Sequence, residues 1–143
     1  MKRIVNNKRN IAVILLAVLL PGFILGQKKT KCKKVKTGNF YFYPAKSSNT
    51  FLISRNDSLQ KEINLQTMDT SFWKLEWKTP CSFTLTFLKK TGKVSEEERT
   101  FLKSNRTVIE ILEITKDYYV FKGWLDNVTA PSITDTLWMK KKI

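Results

Sequence analysis

The stretch SFWKLEWKTPCSFTLTF, residues 71–87, alternates large apolar and polar residues with a period of two. Trp73, Leu75 and Trp77 fall on one side of an extended chain, and Lys74, Glu76 and Lys78 fall on the other. Pro80 interrupts the run, and Cys81, Phe83, Leu85 and Phe87 then alternate with Ser82, Thr84 and Thr86. Half-buried antiparallel strands have this pattern, with one face in a core and one in water.

The same period continues outward on both sides. Thr37–Tyr43 sets Phe40 and Phe42 against Tyr41 and Tyr43 and stops at Pro44; Phe51–Arg55 and Leu59–Asn64 flank a polar knot of Arg55, Asn56, Asp57 and Ser58. Further on, Thr107–Ile114, Tyr118–Leu125 and Ile133–Lys140 read as strands, with a tight turn at Lys116 and Asp117 and a loop through Pro131. One segment reads as helix, SEEERTFLKSN from Ser95 to Asn105. Ser95 and Glu98 have capping-box spacing, and Glu96, Glu97 and Glu98 suit the positive end of the helix dipole. Consecutive helical residues point in different directions, so these glutamates have a local role and a poor geometry for a cation. The expected fold is mainly β: a small antiparallel meander of about eight strands with one short helix, barrel-like or a strongly curved sheet, in a single domain over residues 37–140.

Register decides what the polar knot does. A three-residue loop of Asn56, Asp57 and Ser58 would pair Phe51 with Ile63, Ile53 with Lys61 and Arg55 with Leu59, keeping the larger apolar residues on one face. A two-residue loop of Asn56 and Asp57 would oppose Phe51 to Glu62 and Ile53 to Gln60, which divides that face. The longer loop is therefore expected, and it gives Asn56, Asp57 and Ser58 ordinary turn roles. Arg55 has no such local reason; it is expected to pair with Asp57 or with a carboxylate across the sheet, such as Glu62.

Residues 1–26 differ in kind from the rest. Lys2, Arg3, Lys8 and Arg9 precede an apolar run from Ile11 to Leu25, and Gly26 stands before polar Gln27. This is the layout of a secretory signal peptide cleaved after Gly26. The run is short for a bilayer core of about 30 Å; left uncleaved, it would serve as an inner-membrane anchor. Six lysines between Lys28 and Lys36 form a basic, flexible lead-in over residues 27–36, and such charge opposes translocation. Lys31 stands directly before Cys32, where a lipid-modified terminus needs a small residue.

The formal charge of +14 invites a nucleic-acid reading, which its distribution argues against. Four positive charges lie in the first 26 residues, six in the lead-in and three in Lys140, Lys141 and Lys142, leaving 13 basic and 12 acidic residues between Gly38 and Met139. A nearly neutral body offers no basic stripe for specific nucleic-acid binding. The basic ends, including the tail 141–143, suit anionic lipid or an envelope polymer as partners.

Cys32 and Cys81 are the two cysteines; in an exported chain they are expected to form a disulfide. With no histidine, the chain lacks Ser–His and Cys–His machinery and the usual metal-ligand sets, so no metal, cofactor or catalytic residue is assigned.

In order, Cys32, then Thr37-Gly38 with Phe40, then Arg55-Asn56-Asp57-Ser58, then Trp77 shortly before Cys81 resemble a family of short exported bacterial β-proteins of unknown function. Some of its members carry the label DNA topoisomerase IV by transfer. The resemblance covers nearly all of the chain after residue 26, and Pro80 departs from an acidic residue before the second cysteine. It implies an all-β exported domain with the two cysteines close together, and no activity. A type II topoisomerase needs several domains and a phosphate-binding glycine-rich loop; the 117 residues that follow Gly26 contain no such loop, and that activity is rejected.

The leading expectation is an exported envelope or periplasmic accessory or binding domain, periplasmic or extracellular, with Arg55, Trp73, Trp77, Tyr118 and Trp124 as candidate binding residues and Trp138, Tyr41, Tyr43 and Tyr119 as further aromatic walls. The alternatives are a structural envelope protein without a small ligand, and a carboxylate-based hydrolase using Asp57 and Glu62.

Overall fold

The computed structural model describes residues 31–142. The expected signal or anchor at 1–26, residues 27–30 of the expected lead-in and Ile143 of the tail lie outside the described residues.

Eight strands form: β1 Gly38–Phe42, β2 Phe51–Arg55, β3 Leu59–Asn64, β4 Thr70–Thr79, β5 Ser82–Lys90, β6 Arg106–Ile114, β7 Tyr118–Leu125 and β8 Ile133–Trp138. Each pairs antiparallel with the next, and β8 closes on β1 through Trp138 opposite Tyr41 and Leu137 opposite Phe42. The meander is thus a closed barrel, an arrangement that leaves no free sheet edge. Alternation sends Phe40, Ile53, Leu75, Phe83, Leu85, Ile109, Ile111, Phe121 and Leu137 inward, where all are buried. Helix α1, Glu96–Ser104, lies between β5 and β6; Ser95 caps it by accepting from the Glu98 amide at 3.1 Å, and Glu98 pairs with Lys90 of β5 at 3.1 Å. Glu96 pairs instead with Arg99, so the acidic run is divided between separate partners.

In a meander, alternate connections lie at the same end of the barrel. The short ones, 56–58, 80–81 and 115–117, share one end; the long ones, 43–50, 65–69, 91–105 and 126–132, share the other. A 3-10 turn at Lys33–Val35 seals the short-turn end, with Cys32 and Val35 fully buried and Cys32 bonded to Cys81 between β4 and β5. Residues 32–36, expected as a lead-in outside the domain, are therefore its floor. The disulfide and the apolar Val35 side chain draw a lysine-rich segment into the fold.

The β2–β3 hairpin corrects the expected register. Phe51 faces Asn64, Ile53 faces Glu62 and Arg55 faces Gln60, which is neither pairing considered from sequence. The Asn56 amide donates to the Leu59 carbonyl at 3.0 Å, and Asn56 Oδ1 accepts from the amides of Ser58 and Leu59. Asp57 and Ser58 are the tip of this turn. The expectation failed because it required an apolar interior: β2 and β3 place Arg55, Gln60 and Glu62 on the inward face and turn Leu52 and Ile63 outward.

Candidate ligand cavity

The barrel encloses a cavity of about 250 Å³. Its walls are mostly apolar, with Phe42, Phe51, Ile53, Trp73, Leu85 and Phe121 among them, and its polar lining is Arg55, Gln60, Glu62, Thr107 and Tyr119. Solvent access follows the barrel axis. Arg55, Gln60, Phe83 and Tyr119, toward the short-turn end, are buried, whereas Phe42, Phe51, Glu62 and Thr107 keep partial access. The cavity is sealed by the 32–36 segment and opens toward the long connections.

Arg55 organises the floor. Its Nε donates to Gln60 Oε1 at 2.8 Å, Nη1 to the Val35 carbonyl at 3.1 Å and Nη2 to the Tyr119 hydroxyl at 2.9 Å. The guanidinium carbon also lies 4.5 Å from the Phe83 ring centre and 5.2 Å from that of Phe40, cation–π distances that offset part of the cost of burying the charge. Gln60 passes the contact on, its Nε2 donating to Glu62 Oε1 at 2.8 Å. Arg55 and Glu62 are thus joined through a neutral amide.

Burial raises the Glu62 pKa above the usual carboxylate value, against the opposing effects of the Gln60 hydrogen bond, the nearby Trp73 indole and the Arg55 charge. The Trp73 N–H lies close enough to favour the carboxylate, but it does not reach hydrogen-bond geometry and is buried without a partner. Tyr119 is likewise raised by burial, with Arg55 acting in the opposite direction.

Of the residues singled out from sequence, Arg55 and Trp73 line the cavity and Trp77, Tyr118 and Trp124 do not. Trp77 packs against Phe83 with the rings tilted and their centres 4.7 Å apart, and the Lys36 ammonium lies 4.7 Å from its ring centre, so it belongs to the sealed end. Alternation along β7 puts Tyr119, Phe121 and Gly123 inside; Tyr118 and Trp124 consequently face out, Tyr118 against Trp138 at 5.1 Å. Trp138, Tyr41 and Tyr43 are also outside the lining, whereas Tyr119 is in it. Arg55 bonds neither Asp57 nor Glu62 directly, and the supposed carboxylate pair is split: Asp57 is exposed on the turn while Glu62 lines the lumen. Among the described residues, no cluster of three histidine, cysteine or acidic side chains is placed to hold a metal.

Gln60 and Tyr119 were the residues that sequence reasoning undervalued. A usable signal existed for Tyr119, since it shares parity with Phe121; none existed for Gln60, whose strand looks amphipathic with the opposite sense. Comparison with protein-family models and with curated proteins found no match.

Proposed function

We propose that the protein is an exported binding domain of the cell envelope whose barrel lumen takes one small, largely apolar ligand. The observation that carries this reading is the cavity of about 250 Å³, aromatic and aliphatic in its walls, closed at one end and open at the other. Eight-stranded barrels are wide enough inside to hold one small ligand, and an apolar cavity of about 150 Å³ already accepts a molecule the size of benzene. The polar groups are concentrated around Arg55, where most bonds are made within the protein, so their role is to fix the floor. Export rests on the pattern of residues 1–26 and on the Cys32–Cys81 bond, which suits an oxidising compartment; the motif order that resembles the exported β-protein family supports the same reading.

Trp73 provides the assay. Small apolar molecules should change its fluorescence saturably, and Thr107→Phe, which adds a ring at a half-buried lining position, should remove the response while circular dichroism stays that of the parent. An unchanged response in Thr107→Phe would place binding outside the lumen. Mass spectrometry of material extracted from protein purified from its native envelope would identify what the lumen carries.

A second reading, attachment of the body to an anionic envelope surface, has one observation in its favour. The outward residues Tyr118, Trp138, Tyr41, Leu52 and Ile63 are successive cross-strand partners and form one half-exposed row around the barrel. Lys142 folds onto it, its Nζ 3.7 Å from the Trp138 ring centre. Aromatic residues beside lysines suit a lipid headgroup layer. Sedimentation with vesicles containing phosphatidylglycerol tests this reading: Trp138→Ser should reduce the bound fraction, and equal binding by both proteins would exclude the row.

A further inference from the structure

The lumen is lined by two charged groups of opposite sign, Arg55 and Glu62, joined through Gln60. Their charges nearly cancel for a ligand in the cavity. A charged ligand would therefore lose its hydration on entry and gain little net attraction in return. A pure hydrocarbon would have the opposite defect, because the middle of the cavity is not fully apolar.

The unmet polar capacity lies at one place. Gln60 uses its oxygen for Arg55 and its nitrogen for Glu62. Glu62 accepts from Gln60 through Oε1, which leaves Oε2 as its second acceptor atom. The Trp73 indole N–H, on the neighbouring strand, is buried and without a partner. Gln60 and Trp73 are direct cross-strand partners, which puts Trp73 and Glu62 on one diagonal of the same inward face, within reach of long side chains. The Thr107 and Tyr119 hydroxyls also line the cavity, but a hydroxyl rotates to find an acceptor, whereas an indole N–H is fixed by its ring.

Resting on the lumen reading above, we infer that the lumen selects an uncharged ligand bearing a hydroxyl group, which donates to Glu62 Oε2 and accepts from the Trp73 indole N–H while its apolar remainder fills the space between Phe42, Phe51 and Phe121. An alcohol or phenol satisfies a donor and an acceptor with one atom. A carboxylate would meet Glu62 with like charge. An ammonium would leave the indole N–H unpaired, because it has no lone pair to offer.

Four probes of nearly equal size separate these cases: benzene, phenol, benzoate and benzylamine, titrated into the oxidised protein at neutral pH and followed by calorimetry. Phenol should bind about thirtyfold more tightly than benzene, the value of two net hydrogen bonds, and more tightly than either ion. In Trp73→Phe the ratio of phenol to benzene affinity should fall about fivefold, since only the bond to Glu62 remains, a comparison made within one variant and so independent of any loss of stability. Equal affinity of benzene and phenol for the parent would overturn the hydroxyl inference and leave the lumen reading standing, as would a preference for benzoate or benzylamine. Persistence of the full ratio in Trp73→Phe would also overturn it. Failure of all four probes to bind folded protein would remove the lumen reading itself.

Discussion

Arg55 of β2 and Tyr119 of β7 meet inside the barrel, with Nη2 of the guanidinium 2.9 Å from the phenol oxygen. They are 64 residues apart and on strands that do not pair. The same guanidinium holds the Val35 carbonyl and Gln60, so one side chain ties together the floor segment, the β2–β3 hairpin and the far wall. A fork of fixed donors suits this role in a way that a lysine ammonium does not.

Arg55→Met should therefore cost about 3 kcal/mol, the sum of three hydrogen bonds whose acceptors stay buried. Tyr119→Phe removes one of the three and should cost about 1 kcal/mol. Urea melts of both variants, run oxidised, measure the difference. A larger loss in Tyr119→Phe than in Arg55→Met would mean that Arg55 is not the organising group.

Reduction of Cys32–Cys81 should release the floor as well as lengthen the free chain. The bond closes a separation of 49 residues, for which the chain-entropy model gives about 4 kcal/mol of stabilisation. A Cys32→Ser, Cys81→Ser double variant should unfold at clearly lower urea concentration. Its remaining native state should show faster amide exchange at Val35 and at Arg55 than at Thr107, which lies on β6 at the open end of the barrel. Uniform acceleration over all three positions would mean that the segment does not act locally.

Much of the fold was legible because most strands carry a period of two with large apolar residues on the inner side. The alternation of Phe83, Leu85 and Phe87 against Thr84 and Thr86 placed β5 with its buried face correctly assigned. In β3, Gln60 and Glu62 point inward while Ile63 points out, so the hydrophobic pattern predicted the wrong register. That inversion is also why the site was only partly legible: a polar residue inside a barrel is indistinguishable by pattern from one on its surface. Arg55 was noticed because no turn role explained it, yet its partners come from segments too distant in sequence for any local rule to find.

The turn itself separates structural from incidental polarity. Asn56 Oδ1 accepts two backbone amides and closes the hairpin, whereas Asp57 is exposed at the tip. Asn56→Ala should cost about 1 kcal/mol, by analogy with loss of a helix cap, and Asp57→Asn should stay within about 0.5 kcal/mol of the parent, as an ordinary surface change does. Thermal melts of the two single variants check the order; a larger loss in Asp57→Asn would show a role for that carboxylate beyond the turn.

Glu62 makes stability depend on pH in a direction that can be worked out. Its pKa in the folded protein is raised, chiefly by burial, and in the unfolded chain it returns to the ordinary carboxylate value. Between these two values the folded state binds more protons than the unfolded state, so stability falls as pH rises through that window and is flat on either side of it. Below the unfolded value Glu62 is protonated in both states and imposes no ionisation penalty; above the folded value the full cost of burying its charge is present. Glu62→Gln removes the titration and keeps an oxygen able to accept from Gln60 Nε2. The variant should be as stable as the parent or more so at neutral pH, and its advantage should shrink as pH falls toward the ordinary carboxylate range. Denaturant melts of both proteins at a series of pH values give the difference directly, in which contributions from other titrating groups cancel. A variant that is less stable than the parent at neutral pH, with a deficit that shrinks on acidification, would mean that the ionised carboxylate stabilises the barrel and that the Arg55 and Gln60 contacts outweigh desolvation.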